Sequence, residues 1–391
     1  MNVGSRRALF GAAVIGAVCL WGAALGASQA APAAPAQTAG VPMSEQVFKN
    51  IQMLRGIPVD TFFDAMGMFA NAMGNDCTFC HVSKAYFDKA MFAEQTPRMQ
   101  RARGMIAMMN TINKQYFAGQ PRVTCYTCHA GSQSPRSDPD FMTQYGTPIE
   151  DPNIRDFPTD RRIVADQVFD KYFQALGGVD RLAKFTSFTG KGTYAGFDTS
   201  FDKVPVEVYG QAPGKTSMVV HLEIGASTKT YDGTNAWLAG PDTPMPLMTL
   251  TEGNLDRFRL EGMVAFPSAA LKQAFAQWRG GRTAIDDKEV IVLQGSADGQ
   301  PVANLYFDES GLLVRLIRWT RTPVGFVPTE IDYSNFRDVS GVKVPFNRRV
   351  RQTYMEMTLE LSDVQANTRI DASRFAKPAP VQGPGSAAVA K

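Results

Sequence analysis

The 391-residue sequence predicts an α + β chain in two domains, an all-α N-terminal part followed by a curved antiparallel β-sheet with helices. Three observations carry this. Apolar residues recur at helical spacing between 43 and 117, the texture turns to alternating strands after about 185, and a Pro/Asp/Ser-dense stretch separates the two. The boundaries follow: 1–30 a leader, 31–42 a linker, 43–137 the helical domain, 138–160 a second linker, 161–378 the β-rich domain and 379–391 a disordered tail.

Arg6 and Arg7 precede the apolar run "ALFGAAVIGAVCLWGAALGA", and "SQA" ending at Ala30 supplies small residues for cleavage. This is the layout of an export signal, with an uncleaved anchor as the alternative. Expected localisation is the periplasm or the outer face of the cytoplasmic membrane, with any membrane association made through the N-terminal segment. "APAAPAQTAGVP" reads as a tether. With 40 Lys+Arg against 37 Asp+Glu, no nucleic-acid partner is expected.

In the helical part, "SEQVFKNIQML" places Val47, Ile51 and Leu54 on one face, with Ser44 as N-cap. "VDTFFDAMGMFANAM" is a second helix, which Gly74 ends in a left-handed cap. "TPRMQRARGMIAMMNTINKQYF" is a third, started by Thr96 and Pro97 and stopped by "AGQP". Beyond the linker, "RIVADQVFDKYFQALGG" is helical, and "VPVEVYG", "KTSMVVHLE", "EVIVLQG", "VANLYFD" and "MEMTLELSD" are strands. In the last, Met355, Met357, Leu359 and Leu361 alternate with Glu356, Thr358 and Glu360. "YDGTNAW" and "DESG" are turns, and two helical patterns lie near 251–264 and 267–278.

Without the leader four cysteines remain, all in two runs, "CTFCH" from Cys77 and "CYTCH" from Cys125. Covalent haem attachment needs two thiols for thioethers and an adjacent imidazole for the iron. Cys77, Cys80 and His81 meet this demand, as do Cys125, Cys128 and His129. A zinc site would want one convergent tetrahedral set, and a redox dithiol expects a βαβ context. Two covalently attached c-type haems, each with its iron, are therefore expected.

The sixth ligand decides between electron transfer and catalysis, because a Met thioether closes the iron and raises its potential. Met66 is better placed than Met68 or Met73: Met68 faces away from it, and Met73 is only four residues before Cys77. Met105, Met108 and Met109 share a face on the next helix, and spacing does not choose between Met105 and Met109. His221 reads as an ordinary strand residue.

The segments "FFDAMGMFANAMGNDCTFCH" and "RARGMIAMMNTINKQYFAGQPRVTCYTCHAG" resemble the cytochrome c subunit of photosynthetic reaction centres. The resemblance covers residues 43–137 and makes that part a multihaem cytochrome c domain. It implies Met66 and Met105 as sixth ligands, and a role in electron transfer with a redox donor and acceptor and a membrane complex as partners. Val82 and Ala130 stand where that family often carries Arg, and two sites stand where it typically has four. The β-rich part resembles the lipoprotein-carrier half-barrels in architecture alone. The leading expectation is a periplasmic, non-catalytic electron-transfer protein. The rivals are a di-haem oxidoreductase or peroxidase, and a lipid- or quinone-binding module whose haems report redox state.

Overall fold

The structure, a computed structural model, describes residues 40–381 apart from 136, 140, 147–150, 242, 298–299 and 354. The leader, all but the end of the first linker, and the tail from 382 lie outside the described residues. The chain divides into Met1–Gly40 and one compact unit, Val41–Lys391, which holds everything that follows.

Among the described residues thirteen antiparallel strands form a single sheet. The first meander is β1 (Ser187–Gly196), β2 (Val204–Gln211), β3 (Lys215–Leu222), β4 (Gly225–Tyr231), β5 (Ala236–Ala239) and β6 (Met248–Thr249). The second is β7 (Gln277–Ile285), β8 (Lys288–Ala297), β9 (Gln300–Phe307), β10 (Leu313–Thr322), β11 (Gly325–Val339), β12 (Val342–Gln352) and β13 (Met355–Ala366). Pairing of β1 with β13 joins the meanders, with the register shifting at Lys191/Gly192. A Cβ on Gly192 would meet the Glu360 carbonyl oxygen at 2.0 Å, so the strands approach there because no side chain intervenes.

The helices are α1 (Ser44–Val47), α2 (Val59–Met73), α3 (Pro97–Tyr116), α4 (Cys125–His129), α5 (Phe141–Tyr145), α6 (Ala165–Leu176), α7 (Val179–Lys184), α8 (Glu252–Ala265) and α9 (Ala269–Lys272). Helix α8 packs on both β4 and β10, which stand seven strands apart in the sheet. Flat, that separation would be about 34 Å at ~4.8 Å per strand. A helix roughly 10 Å across can touch both only if the sheet curls around it. Phe169, Tyr172 and Phe173 of α6, Leu182 of α7, Leu260 of α8 and Leu271 of α9 fill the concavity against Leu293, Leu305, Leu316 and Leu359.

The other face carries a strap. Residues 151–157 lie across β8–β11, and their carbonyls are taken by strand side chains. Tyr306 Oη donates to Pro152 O (2.9 Å), Asn304 Nδ2 to Ile154 O (3.3 Å) and Gln294 Nε2 to Arg155 O (2.7 Å). Among the described residues the strap pairs with no strand, so the Tyr306 phenol and the Asn304 and Gln294 amides satisfy its carbonyls. The 138–160 stretch drawn as a linker therefore ends bound to the sheet, inside one compact unit.

Helix α2 seats the helical segment on the sheet. Its Ala65 and Met68 pack with Val324 and Val327 at the β10–β11 turn, and Val59 packs among Tyr231, Ala236, Met248 and Phe258. Its bounds, and Gly74 at φ +60°, match the sequence reading, as do Pro97–Tyr116 and the Thr96 cap. The first helix does not. It stops at Val47, with Asn50 and Leu54 at positive φ, because Ser44 Oγ donates to Leu54 O (2.6 Å) and folds the segment back. The pattern at 267–278 also shortens to Ala269–Lys272, since Gln277 and Trp278 enter β7.

Candidate functional site

The first Cys-x-x-Cys-His run follows Gly74. Asp76 Oδ1 accepts from the Thr78 amide (2.8 Å) and starts a single turn of 3₁₀-helix over Cys77–Phe79. The His81 amide donates to Cys77 O (3.0 Å), so both thiols and the imidazole sit on one helical turn. The start of α3 grips this turn. Thr96 Oγ1 donates to Cys80 O (2.5 Å), and Arg98 Nη1 to Phe79 O (2.8 Å) with its guanidinium 4.2 Å above the Phe79 ring. The His81 ring meets Phe92 edge-on at 5.0 Å, and burial lowers its pKa.

The second run is α4 itself. Thr124 Oγ1 accepts from the Thr127 amide (3.3 Å), and Thr127 Oγ1 from the Thr124 amide (3.0 Å). The turn ends at Ala130 in the left-handed region, and Gly131 N donates to Ala72 O of α2 (3.0 Å). A Cβ on Gly74 would lie 2.3 Å from Gly131 O, so the two runs meet where α2 ends. His129 Nδ1 is 3.1 Å from Ser132 O. A carbonyl only accepts, so that nitrogen is the donor and, in the neutral ring, Nε2 is left with the lone pair. Asn113, 6 % exposed, fixes the approach to α4 through bonds to Arg122 N, Val123 N and Val123 O.

All four thiols are free, with Cys77 and Cys128 exposed. Burial raises the pKa of Cys77 and Cys80 and pushes Cys125 up to about 11, so these are held as thiols rather than reactive thiolates. Among the described residues no three His, Cys, Asp or Glu side chains gather to hold a metal ion. Two separate sets of paired thiols plus imidazole suit two covalent haems: Sγ atoms for thioethers, and one ring nitrogen per set for iron.

The methionines divide by burial. Met68 (6 % exposed) and Met109 (5 %) pack together with Val324 and Val327. Met66 is half-buried, and Met105 is 42 % and Met108 47 % exposed. His221 is exposed on β3, 3.7 Å from Glu207.

Sequence reading missed the residues that position these runs. Asn113 and the second role of Thr96 are two. A third is Asp60 on α2, whose Oδ2 accepts from Thr251 N (2.7 Å) and Oδ1 from Thr251 Oγ1 (2.8 Å) at the start of α8. Asn254 Nδ2 donates to Asp64 Oδ2 (2.7 Å). Burial raises the Asp60 pKa and pushes Asp64 up to about 7. Two acids one turn apart on a helix were the only local signal.

Residues 16–145 match the family model of the photosynthetic reaction centre cytochrome C subunit. The photosynthetic reaction center cytochrome c subunit of Roseobacter denitrificans is 30% identical over 112 residues, 25% of this chain and 29% of that one. That of Thermochromatium tepidum is 25% identical over 114 residues, covering 28% and 27%, so the chain spans under a third of each relative's length. Among solved structures, a LolA superfamily protein from Nitrosomonas europaea matches 55% of this chain and 98% of its own at 12% identity, with a TM-score of 0.36. Among the described residues no helix is long and apolar enough to cross a membrane.

Proposed function

We propose that residues 43–137 hold two covalent c-type haems and that the protein passes single electrons between a redox donor and an acceptor in the periplasm. The observation that carries this is the repeated local design. Each Cys-x-x-Cys-His run sits on one capped helical turn with unpaired thiols. The export leader and the likeness to a cytochrome c family support the same reading.

In this reading Cys77 and Cys80 hold one haem and Cys125 and Cys128 the other, with His81 and His129 as proximal ligands. Met66 and Met105 would each supply a thioether ligand to one iron. Each bound haem supplies a one-electron iron couple. The Ser132 carbonyl keeps the His129 proton on Nδ1 and so directs Nε2 to the metal. Thioether ligation excludes small ligands and favours electron transfer over catalysis. The curved sheet anchors the haem segment through α2 and can dock it to a membrane complex.

The test is haem staining on a denaturing gel with the full chain matured by a c-type haem apparatus. Wild type should retain two haems per chain, and Cys77→Ala/Cys80→Ala should retain one. Two haems in that variant would overturn the assignment.

A further inference from the structure

Between Gln95 and Ser137 the sequence has six Arg and Lys residues and not one Asp or Glu, which leaves 34 cations against 37 carboxylates in the rest of the chain. Two of the six are committed internally. Arg98 grips Phe79, and Arg103 donates to Asn50 O (2.9 Å) and to Gln95. Lys114 and Arg122 flank the α3–α4 loop, exposed, and form no ion pair among the described residues.

The loop between them is apolar, exposed and held rigid. Tyr116 is 72 % and Phe117 40 % exposed. Rings on a free loop would fold inward, but this loop is pinned. Gly119 N donates to Asn113 O (2.9 Å), Gln120 N to Phe117 O (2.9 Å) and Arg122 N to Gln120 O (2.8 Å), beneath the buried Asn113 side chain. Exposed rings on a hydrogen-bonded loop flanked by two cations are the anatomy of a recognition surface rather than of a solvated turn. It ends three residues before Cys125.

We propose that this loop, with Lys114, Tyr116, Phe117 and Arg122, is the docking surface for an acidic redox protein that exchanges electrons through the second haem site. This rests on the electron-transfer reading above. Carboxylates on the partner meet Lys114 and Arg122, which steer its approach, while Tyr116 and Phe117 give the short-lived complex its dry centre. One electron moves at the contact, and no bond forms or breaks.

The test uses the full di-haem chain in its ferric state with two reductants: flavodoxin hydroquinone, an acidic protein, and hexaammineruthenium(II), a small cation. The flavin hydroquinone gives up one electron and becomes its semiquinone, and one haem becomes ferrous. Reduction by flavodoxin should slow as salt is added and should fall about tenfold at low ionic strength in Lys114→Glu/Arg122→Glu. The ruthenium rate should hold or rise, with haem count and potentials unchanged. Carbodiimide coupling should join Lys114 to a flavodoxin carboxylate, located by mass spectrometry. A flavodoxin rate indifferent to salt and charge reversal, or coupling only at distant lysines such as Lys343, would overturn the proposal. A shift in haem potential in the variant would also overturn it, by assigning these cations to haem propionates. Loss of the cytochrome reading shows separately, as absence of haem on the gel, while the coupling result still reports on docking.

Discussion

The Asn113 carboxamide closes on the Val123 peptide from both sides, its Nδ2 donating to the carbonyl at 2.7 Å and its Oδ1 accepting from the amide at 2.9 Å. Thr96 does the equivalent at the other end of α3, where its hydroxyl reaches Cys80 O. One helix thereby sets the position of both Cys-x-x-Cys-His runs. Asn113→Ala should leave buried peptide groups unsatisfied and cost about 2–4 kcal/mol in urea unfolding. Asn113→Asp should be worse, because a second carboxylate oxygen would face the Val123 carbonyl. In both variants the second haem should be lost more readily than the first, read as haem stoichiometry on a stained gel.

Gly74 tests the contact between the two runs. It has φ +60°, and its missing Cβ leaves room for Gly131 O. Gly74→Ala adds a left-handed strain of about 1–2 kcal/mol to a backbone clash that no rotamer relieves. Gly119 is the control, with φ +78° and nothing within 4 Å of its Cβ position. Gly119→Ala should cost only the strain, about 1 kcal/mol. Equal losses in thermal melts would mean that α2 and α4 yield freely.

Asp60 ties α2 to α8. Replacing it by Ala strands the Thr251 amide and hydroxyl and should cost about 2–4 kcal/mol. The pH dependence has a definite sign. Burial raises the Asp60 pKa above its ordinary value, and that of Asp64, which has Asp60 and Arg257 as its charged neighbours. The folded state therefore binds more protons than the unfolded chain between the two values, and stability falls as pH rises through that window. Asp60→Asn can keep both Thr251 contacts with the hydroxyl reversed, so it should reduce the slope and leave the part that Asp64, raised to about 7, contributes. A urea midpoint that climbs with pH in wild type would contradict this.

What was legible in the sequence follows from how local each determinant is. Helix α2 and the start of α3 were readable to the residue because Gly74, Thr96 and Pro97 act within one turn. Strand β13 was readable because one of its faces is solvated. Strand β10 was not: Arg315 and Arg318 look solvent-facing, yet each is under a tenth exposed, neutralised by Asp332 and by Asp256 of α8. The early turn at 50–54 was hidden for the same reason. Its positive φ residues are held by Ser44 and by Arg103, more than fifty residues from Asn50 in the chain. At the site, the thiols and imidazoles were legible as a motif. Asn113 and Asp60 were not, because their partners are backbone groups and side chains brought in by the fold.

The methionines give the sharpest test, because burial separates two kinds of role on the same helices. Met68 and Met109 are nearly enclosed, packed with Val324 and Val327. Truncating either should open a cavity and cost about 2–4 kcal/mol, while the far-red sulfur-to-iron band persists at full intensity. Met66 keeps partial solvent access on the side of α2 turned away from that packing, and Met105 is 42 % exposed although it lies one turn before Met109 on the same face of α3. If these two are the sixth ligands, truncating either should cost less than about 1 kcal/mol of packing, halve the far-red band and lower one of the two potentials, since that iron would lose a soft ligand. Met108 shares the exposure of Met105, so Met108→Ala is the needed companion: it should leave the band whole. If Met108→Ala halves the band and Met105→Ala does not, the second ligand moves one turn along α3. If Met109→Ala halves it, α3 must turn about its axis when the haem is in place, and the packing of Met109 against the β10–β11 turn belongs to the haem-free chain.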